Sequence, residues 1–149
     1  MWYNDSVKRG IQTMKKTRVY LDMDGTIFDL YGKDNWLARL ENEDETVFGG
    51  DDRLTDEQTL IKVFPKERYE IIVLSMTPKN ASKSYCDKVI EMKNAWLDAY
   101  FPSISKRIYK KYGDNKNLKN SKNAILVDDN KKIRENWNGI ALDPMALWG

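Results

Sequence analysis

The chain contains no histidine. That absence removes Ser-His-Asp and Cys-His nucleophile systems, His-ligated zinc, HExxH proteases and all phosphohistidine chemistry. An enzyme built from this sequence works with carboxylates, lysines, hydroxyls and a metal. There is one cysteine, Cys86, so no intrachain disulfide forms, and this fits a reducing cytoplasm. A thiol phosphatase wants an arginine six positions after its cysteine, to cradle phosphate, and Met92 stands there. No apolar run approaches the ~20 residues that span a bilayer, so no membrane contact is expected. Net charge is also small, +2 from 25 basic and 23 acidic residues, and argues neither for nor against nucleic acid. The stretch 1–16 carries basic residues but no apolar segment, so no secretory signal is expected there. It is expected to be a polar leader ahead of one domain, 17–149. The chain's 149 residues, 41% of them hydrophobic, suffice for one core.

What is present alternates between strand and helix patterns. A run of β-formers, 19–23, delivers two carboxylates into a glycine turn: Asp22-Met23-Asp24-Gly25-Thr26. The segment 70–75 is the clearest strand, with four consecutive aliphatics; 107–111, 124–127 and 139–142 complete the set. An amphipathic helix is expected over 33–41. An acidic loop follows, for which solvation is the simplest account. Thr55 and Gln58 form a capping-box pattern that opens another helix. Tyr85, Val89, Met92, Trp96 and Ala99 keep a 3.6-residue period and predict a long helix over 80–100 with that stripe in the core. A shorter helix is expected over 130–137. Between positions 106 and 122 stand seven basic residues and one acid, a solvated face that could also hold an anion. The order predicts an α/β fold: a three-layer, Rossmann-like parallel sheet with helices on both faces.

Parallel sheets bind ligands beyond the carboxyl ends of their strands. The first strand ends in Asp22 and Asp24, the second in Ser75, and the strand 124–127 in Asp128 and Asp129, with lysines 116 and 119 just before it. Four carboxylates, a hydroxyl and an ammonium group suit phosphoryl transfer. Carboxylates from two strands hold Mg2+, which takes one or two of them and keeps several waters. A lysine neutralises charge on the transferring group. Without histidine or a reactive thiol, a carboxylate is the natural nucleophile, and a second carboxylate two residues on shuttles a proton.

These elements, Asp22-Met-Asp24-Gly25-Thr26, Ser75 after Ile-Ile-Val-Leu, a lysine, and Ile-Leu-Val-Asp128-Asp129, resemble the four ordered motifs of the haloacid dehalogenase (HAD) superfamily of phosphohydrolases. The resemblance implies Asp22 as the nucleophile that becomes aspartyl-phosphate. It implies Asp24 as general acid/base, with its backbone carbonyl on the metal. Ser75, Gly25, Thr26 and a lysine would bind phosphate; Lys116 is preferred, with Lys119 the alternative. Asp129 would be the acidic metal ligand, with Asp128 beside it. Ser75-Met-Thr-Pro78 and Asp-Asp-Asn also resemble 5'(3')-deoxyribonucleotidase-like members, implying a nucleotide substrate. Those carry a helical cap after the first motif, whereas here only 30–68 is available. A small or absent cap is expected, and an open site would admit a larger substrate such as a nucleic-acid end. A lid could also come from a partner chain. Two readings of another class are a catalytically silent binding module and a signalling receiver domain. A receiver would need an aspartate after Ile71-Leu74, where this chain has Ser75.

Overall fold

The computed structural model describes residues 15–149, so the expected leader, apart from Lys15 and Lys16, lies outside the described residues. Five strands, β1 (Thr17–Leu21), β2 (Tyr69–Thr77), β3 (Arg107–Lys111), β4 (Ile125–Val127) and β5 (Ile140–Leu142), form one all-parallel sheet in the order β3-β2-β1-β4-β5. Val19 pairs with Ile71 on one side and Ile125 on the other; Leu21 pairs with Val73 and Val127. The chain leaves β1 toward β2 and β3, then returns to its other side for β4 and β5. Strand order therefore reverses at β1, the position where open α/β sheets form a ligand crevice.

Side chains alternate across each strand, and the sheet's two faces bury separate clusters. Val19, Leu21, Val73 and Val127 pack with Tyr85, Val89, Trp96 and Leu97 of α3 (Lys83–Tyr100). Tyr20, Ile72, Leu74 and Leu126 pack on the opposite face with Trp137 and Ile133, the latter from α4 (Lys131–Asn136). The predicted α/β, three-layer, Rossmann-like architecture is therefore the one observed. Among the described residues, no helix is long and apolar enough to cross a membrane.

The segment 30–68 does not stand off as a separate cap. It contributes α1 (Trp36–Glu41) and α2 (Glu57–Val63) and buries Val47, Phe48 and Leu60 in the main core. Its loop is stapled to α3: Tyr85 Oη donates to the Asp44 carbonyl at 2.7 Å, and Trp96 Nε1 to that of Gly50 at 3.0 Å. The acidic loop is held by ion pairs Lys33–Asp52 and Arg39–Asp44.

Several boundaries differ from expectation. β1 ends at Leu21 rather than 23, because Met23 already turns the chain. The cap of α2 is Asp56, not Thr55; the Asp56 carboxylate accepts from the Thr59 amide at 2.7 Å. Asn80 adopts a left-handed φ of 56°, so α3 starts only at Lys83, with Ser82 as its cap. Ala99 points to solvent and Met92 is half-buried, while Lys93 and Leu97 turn inward. The short α5 (Pro144–Trp148) was not anticipated, although Asp143 capping a Pro at the first turn is a start signal.

Candidate active site

The Asp22 amide extends the sheet by donating to the Val127 carbonyl at 2.9 Å, which brings the end of β1 beside the end of β4. The chain then folds tightly: the Met23 carbonyl accepts from the amides of Thr26, Ile27 and Phe28. Gly25 has φ +81°, and a Cβ there would overlap the Asp129 carboxylate and the Tyr31 ring. Only glycine combines that backbone with that close approach.

Lys116 is the hinge of the site. Its side chain is 4% exposed, and Nζ lies 2.9 Å from Asp22 Oδ1 and 2.7 Å from Asp128 Oδ2. Burial works against the ammonium, but the charges of Asp22 and Asp128 outweigh it and hold the Lys116 pKa above the ordinary lysine value. Two of its three N–H groups are used, leaving one to donate. Lys119, the alternative, is exposed and absent from this group.

Asp22 is oriented at both oxygens, since Thr26 Oγ1 donates to Oδ2 at 3.0 Å. The same hydroxyl accepts from the Asp129 amide at 3.2 Å. Arg134 donates to the carbonyls of Asp128 and Asp129, and the Asn130 amide donates to Asp128 Oδ1. Trp148 of α5 donates to the Thr26 carbonyl at 3.1 Å, tying the C-terminal helix to the turn.

Carboxylate oxygens of Asp22, Asp128 and Asp129 lie within 4.8 Å of one another. Burial, then the Asp22 charge, pushes Asp128 up to about 6 and Asp129 up to about 8. Four site carboxylates face two ammonium groups, Lys93 and Lys116, an excess of two negative charges when all are ionised. The all-oxygen donor set and that excess fit a hard divalent cation such as Mg2+.

Carboxyls with raised folded-state pKa values bind protons more tightly folded than unfolded, so stability falls as pH rises from about 4 toward about 8. A cation at these oxygens competes with those protons. The rise in melting temperature on adding Mg2+ is therefore expected to grow between pH 5 and pH 8. Thermal melts with and without Mg2+ check this; an increment that is flat or shrinks with pH rejects the cluster as the binding site.

Asp24 sits on the other side of the turn. Its Oδ2 pairs with Lys93 Nζ at 2.8 Å, and Oδ1 is buried with no partner among the described residues. Burial raises its pKa, opposed by the Lys93 charge. Ser75 is fully buried, and its Oγ accepts from Lys93 at 2.8 Å. The structure thus links Ser75 to Asp24 through Lys93, not to the Asp22–Lys116–Asp128 bridge.

Lys93, Arg134, Trp148 and Tyr31 were missed from sequence. Lys93 left a signal: it stands four residues after Val89 on an otherwise apolar stripe. Tyr31 packs edge-on against Trp36, ring centroids 4.8 Å apart, with nearly half its surface exposed. Burial and the neighbouring carboxylates of Asp24 and Asp129 push its hydroxyl pKa up.

Beside Lys116 opens a cleft of about 440 Å³ lined by Met76, Tyr112, Asn115, Asn130 and Lys132. Tyr112 is exposed, and Lys79 Nζ lies 5.7 Å from its ring centroid. Comparison with protein-family models and with curated proteins returns no match.

Proposed function

We propose that the chain is a Mg2+-dependent phosphomonoester hydrolase that works through an aspartyl-phosphate at Asp22. The observation that carries this reading is the Lys116 bridge between Asp22 and Asp128, with Asp129 completing an oxygen cluster on the same edge. The HAD-type motif order of the sequence agrees with it.

Asp22, Asp128 and Asp129, with the Asp24 backbone carbonyl, would hold the cation, which when bound neutralises phosphate charge and polarises the phosphoryl group. Lys116 donates its remaining N–H to a phosphate oxygen. Asp22, with its carboxylate oriented by Lys116 and Thr26, attacks phosphorus; a bond from an Asp22 oxygen to phosphorus forms as the bond to the ester oxygen breaks. Protonated Asp24 gives its proton to the departing oxygen, which leaves as an alcohol. Asp24, now ionised, takes a proton from water as that water attacks the phosphorus. The Asp22–phosphorus bond breaks and phosphate departs, leaving Asp24 protonated for the next cycle. The raised Asp24 pKa suits this alternation.

A nucleotide is the small substrate that the motifs suggest. The second reading, a nucleic-acid end, draws on the cleft beside Lys116, where Tyr112 could stack a base and Lys79 and Lys132 could meet further phosphates. The test is a phosphate-release screen with p-nitrophenyl phosphate, nucleoside 3'- and 5'-monophosphates, and oligonucleotides phosphorylated at either end, with Mg2+ or with EDTA. Release that EDTA abolishes is expected. Preference for oligonucleotides, weakening steeply with salt, selects the nucleic-acid end. Silence toward every phosphomonoester rejects the hydrolase and leaves a binding or receiver-like module.

A further inference from the structure

Lys93 takes no part in the steps above, yet it is among the most enclosed side chains of the protein, 1% exposed. Its ammonium has three donors and three acceptors: Asp24 Oδ2 at 2.8 Å, Ser75 Oγ at 2.8 Å and the Met76 carbonyl at 2.9 Å. The Phe48 ring lies over it, centroid 5.0 Å from Nζ. Both the donor count and the lid of Phe48 leave the ammonium no freedom to turn.

Packing does not require a charge at this position. Its neighbours on the buried face of α3 are Val89, Trp96 and Leu97. Uncharged side chains of similar volume in place of both Lys93 and Asp24 would fill the space without the desolvation penalty, and such replacements of whole buried ion pairs are often neutral or stabilising. The consequence of having lysine here is a fixed Asp24. One carboxylate oxygen is anchored, while the other, Oδ1, is buried and has no partner among the described residues. Ser75 and the Met76 carbonyl, at the end of β2, anchor the ammonium from behind.

We propose that Lys93 is a positioning residue for Asp24: clamped by Ser75 Oγ and the Met76 carbonyl, it holds Asp24 Oδ2 and so fixes the orientation of the carboxyl that protonates the leaving oxygen of the substrate. This rests on the hydrolase reading above. It adds a residue from the middle of a helix to the four strand-end motifs. It also assigns Ser75 a contact that the motif pattern did not anticipate.

The test uses leaving-group chemistry, because a poor leaving group needs a proton and a good one does not. The readout is kcat/KM, which covers the steps up to formation of the phosphoenzyme. In Lys93→Met, kcat/KM is expected to fall about 100-fold for an alkyl phosphate such as glycerol phosphate, and by less than about fivefold for 2,4-dinitrophenyl phosphate. A general loss of structure would lower both together. Lys93→Met leaves the Asp24 carboxylate buried without its cation, so a second variant carries the test if that protein fails to fold. The double variant Asp24→Asn/Lys93→Met buries neither charge, and its kcat/KM on the alkyl phosphate is expected to equal that of Asp24→Asn alone. Equal losses on the two substrates, no loss on either, or an added loss in the double variant beyond about threefold overturns the proposal. If the wild-type protein hydrolyses phosphomonoesters while Lys93→Met behaves as wild type, only this inference fails. If the wild-type protein hydrolyses none of them, both fall.

Discussion

Asp22→Asn is expected to abolish phosphate release, lowering kcat by about 10⁴-fold or more, the scale on which loss of a covalent nucleophile registers. The fold should survive. Lys116 and Thr26 hold Asp22 at 2.9 and 3.0 Å; asparagine keeps the volume and one oxygen to accept from Lys116, while its Nδ2 donates to the Thr26 hydroxyl. It also removes a charge that helps raise the pKa values of Asp128 and Asp129. The metal-free variant is therefore expected to melt no lower than wild type above pH 6, while binding Mg2+ more weakly. Activity assays paired with melting curves check both halves. Retention of more than about a tenth of wild-type kcat would remove Asp22 from the nucleophile's position.

Lys116→Met carries the largest stability effect. The lysine is the shared partner of two carboxylates, and the Asp128 side chain is 1% exposed. Taking away the cation leaves a buried charge uncompensated, a change that costs about 3–5 kcal/mol. For a chain of this length that corresponds to a fall of roughly 10 °C in melting temperature. Turnover should be lost as well, because the N–H offered to phosphate goes with it. Lys119→Met is the matched control: the side chain is exposed, and the change is expected to stay within about 0.5 kcal/mol. Thermal melts of the two variants side by side decide between the lysines. Similar behaviour of the pair would mean that the Lys116 bridge does not bear on stability.

The strand ends were legible because both of their determinants are local. An aliphatic run buried on both faces marks a parallel strand, and the residues just beyond such a run stand at the sheet's carboxyl edge whatever the rest of the chain does. Asp22, Asp24, Ser75, Asp128 and Asp129 were found that way. Gly25 was legible for a related reason: the turn that lets both acids face one point needs a residue without Cβ. Lys93 is not legible in the sequence, because helical periodicity is carried by apolar residues, and a charged residue on the stripe falls outside that pattern. Its role depends on Asp24, Ser75 and Met76, which are 69, 18 and 17 positions away. Trp148 reaches Thr26 across 122 positions, and no periodicity in the sequence encodes that contact.

By itself the sequence determined the alternation of strands and helices, the exclusion of histidine and thiol chemistry, and the acids that crowd one sheet edge. These follow from residue type and short-range spacing. Only the tertiary structure decided which lysine joins the acids, since positions 116 and 119 differ by three residues in a loop without periodicity, and burial separates them. It alone divided the polar groups into two linked sets, one around Lys116 and one around Lys93. That division depends on which side chains the β1–β4 pairing and the packing of α3 on the sheet bring within 3 Å of each other. Desolvation then makes each of those ion pairs matter, because a charge that packing has removed from water must find its partner inside the protein.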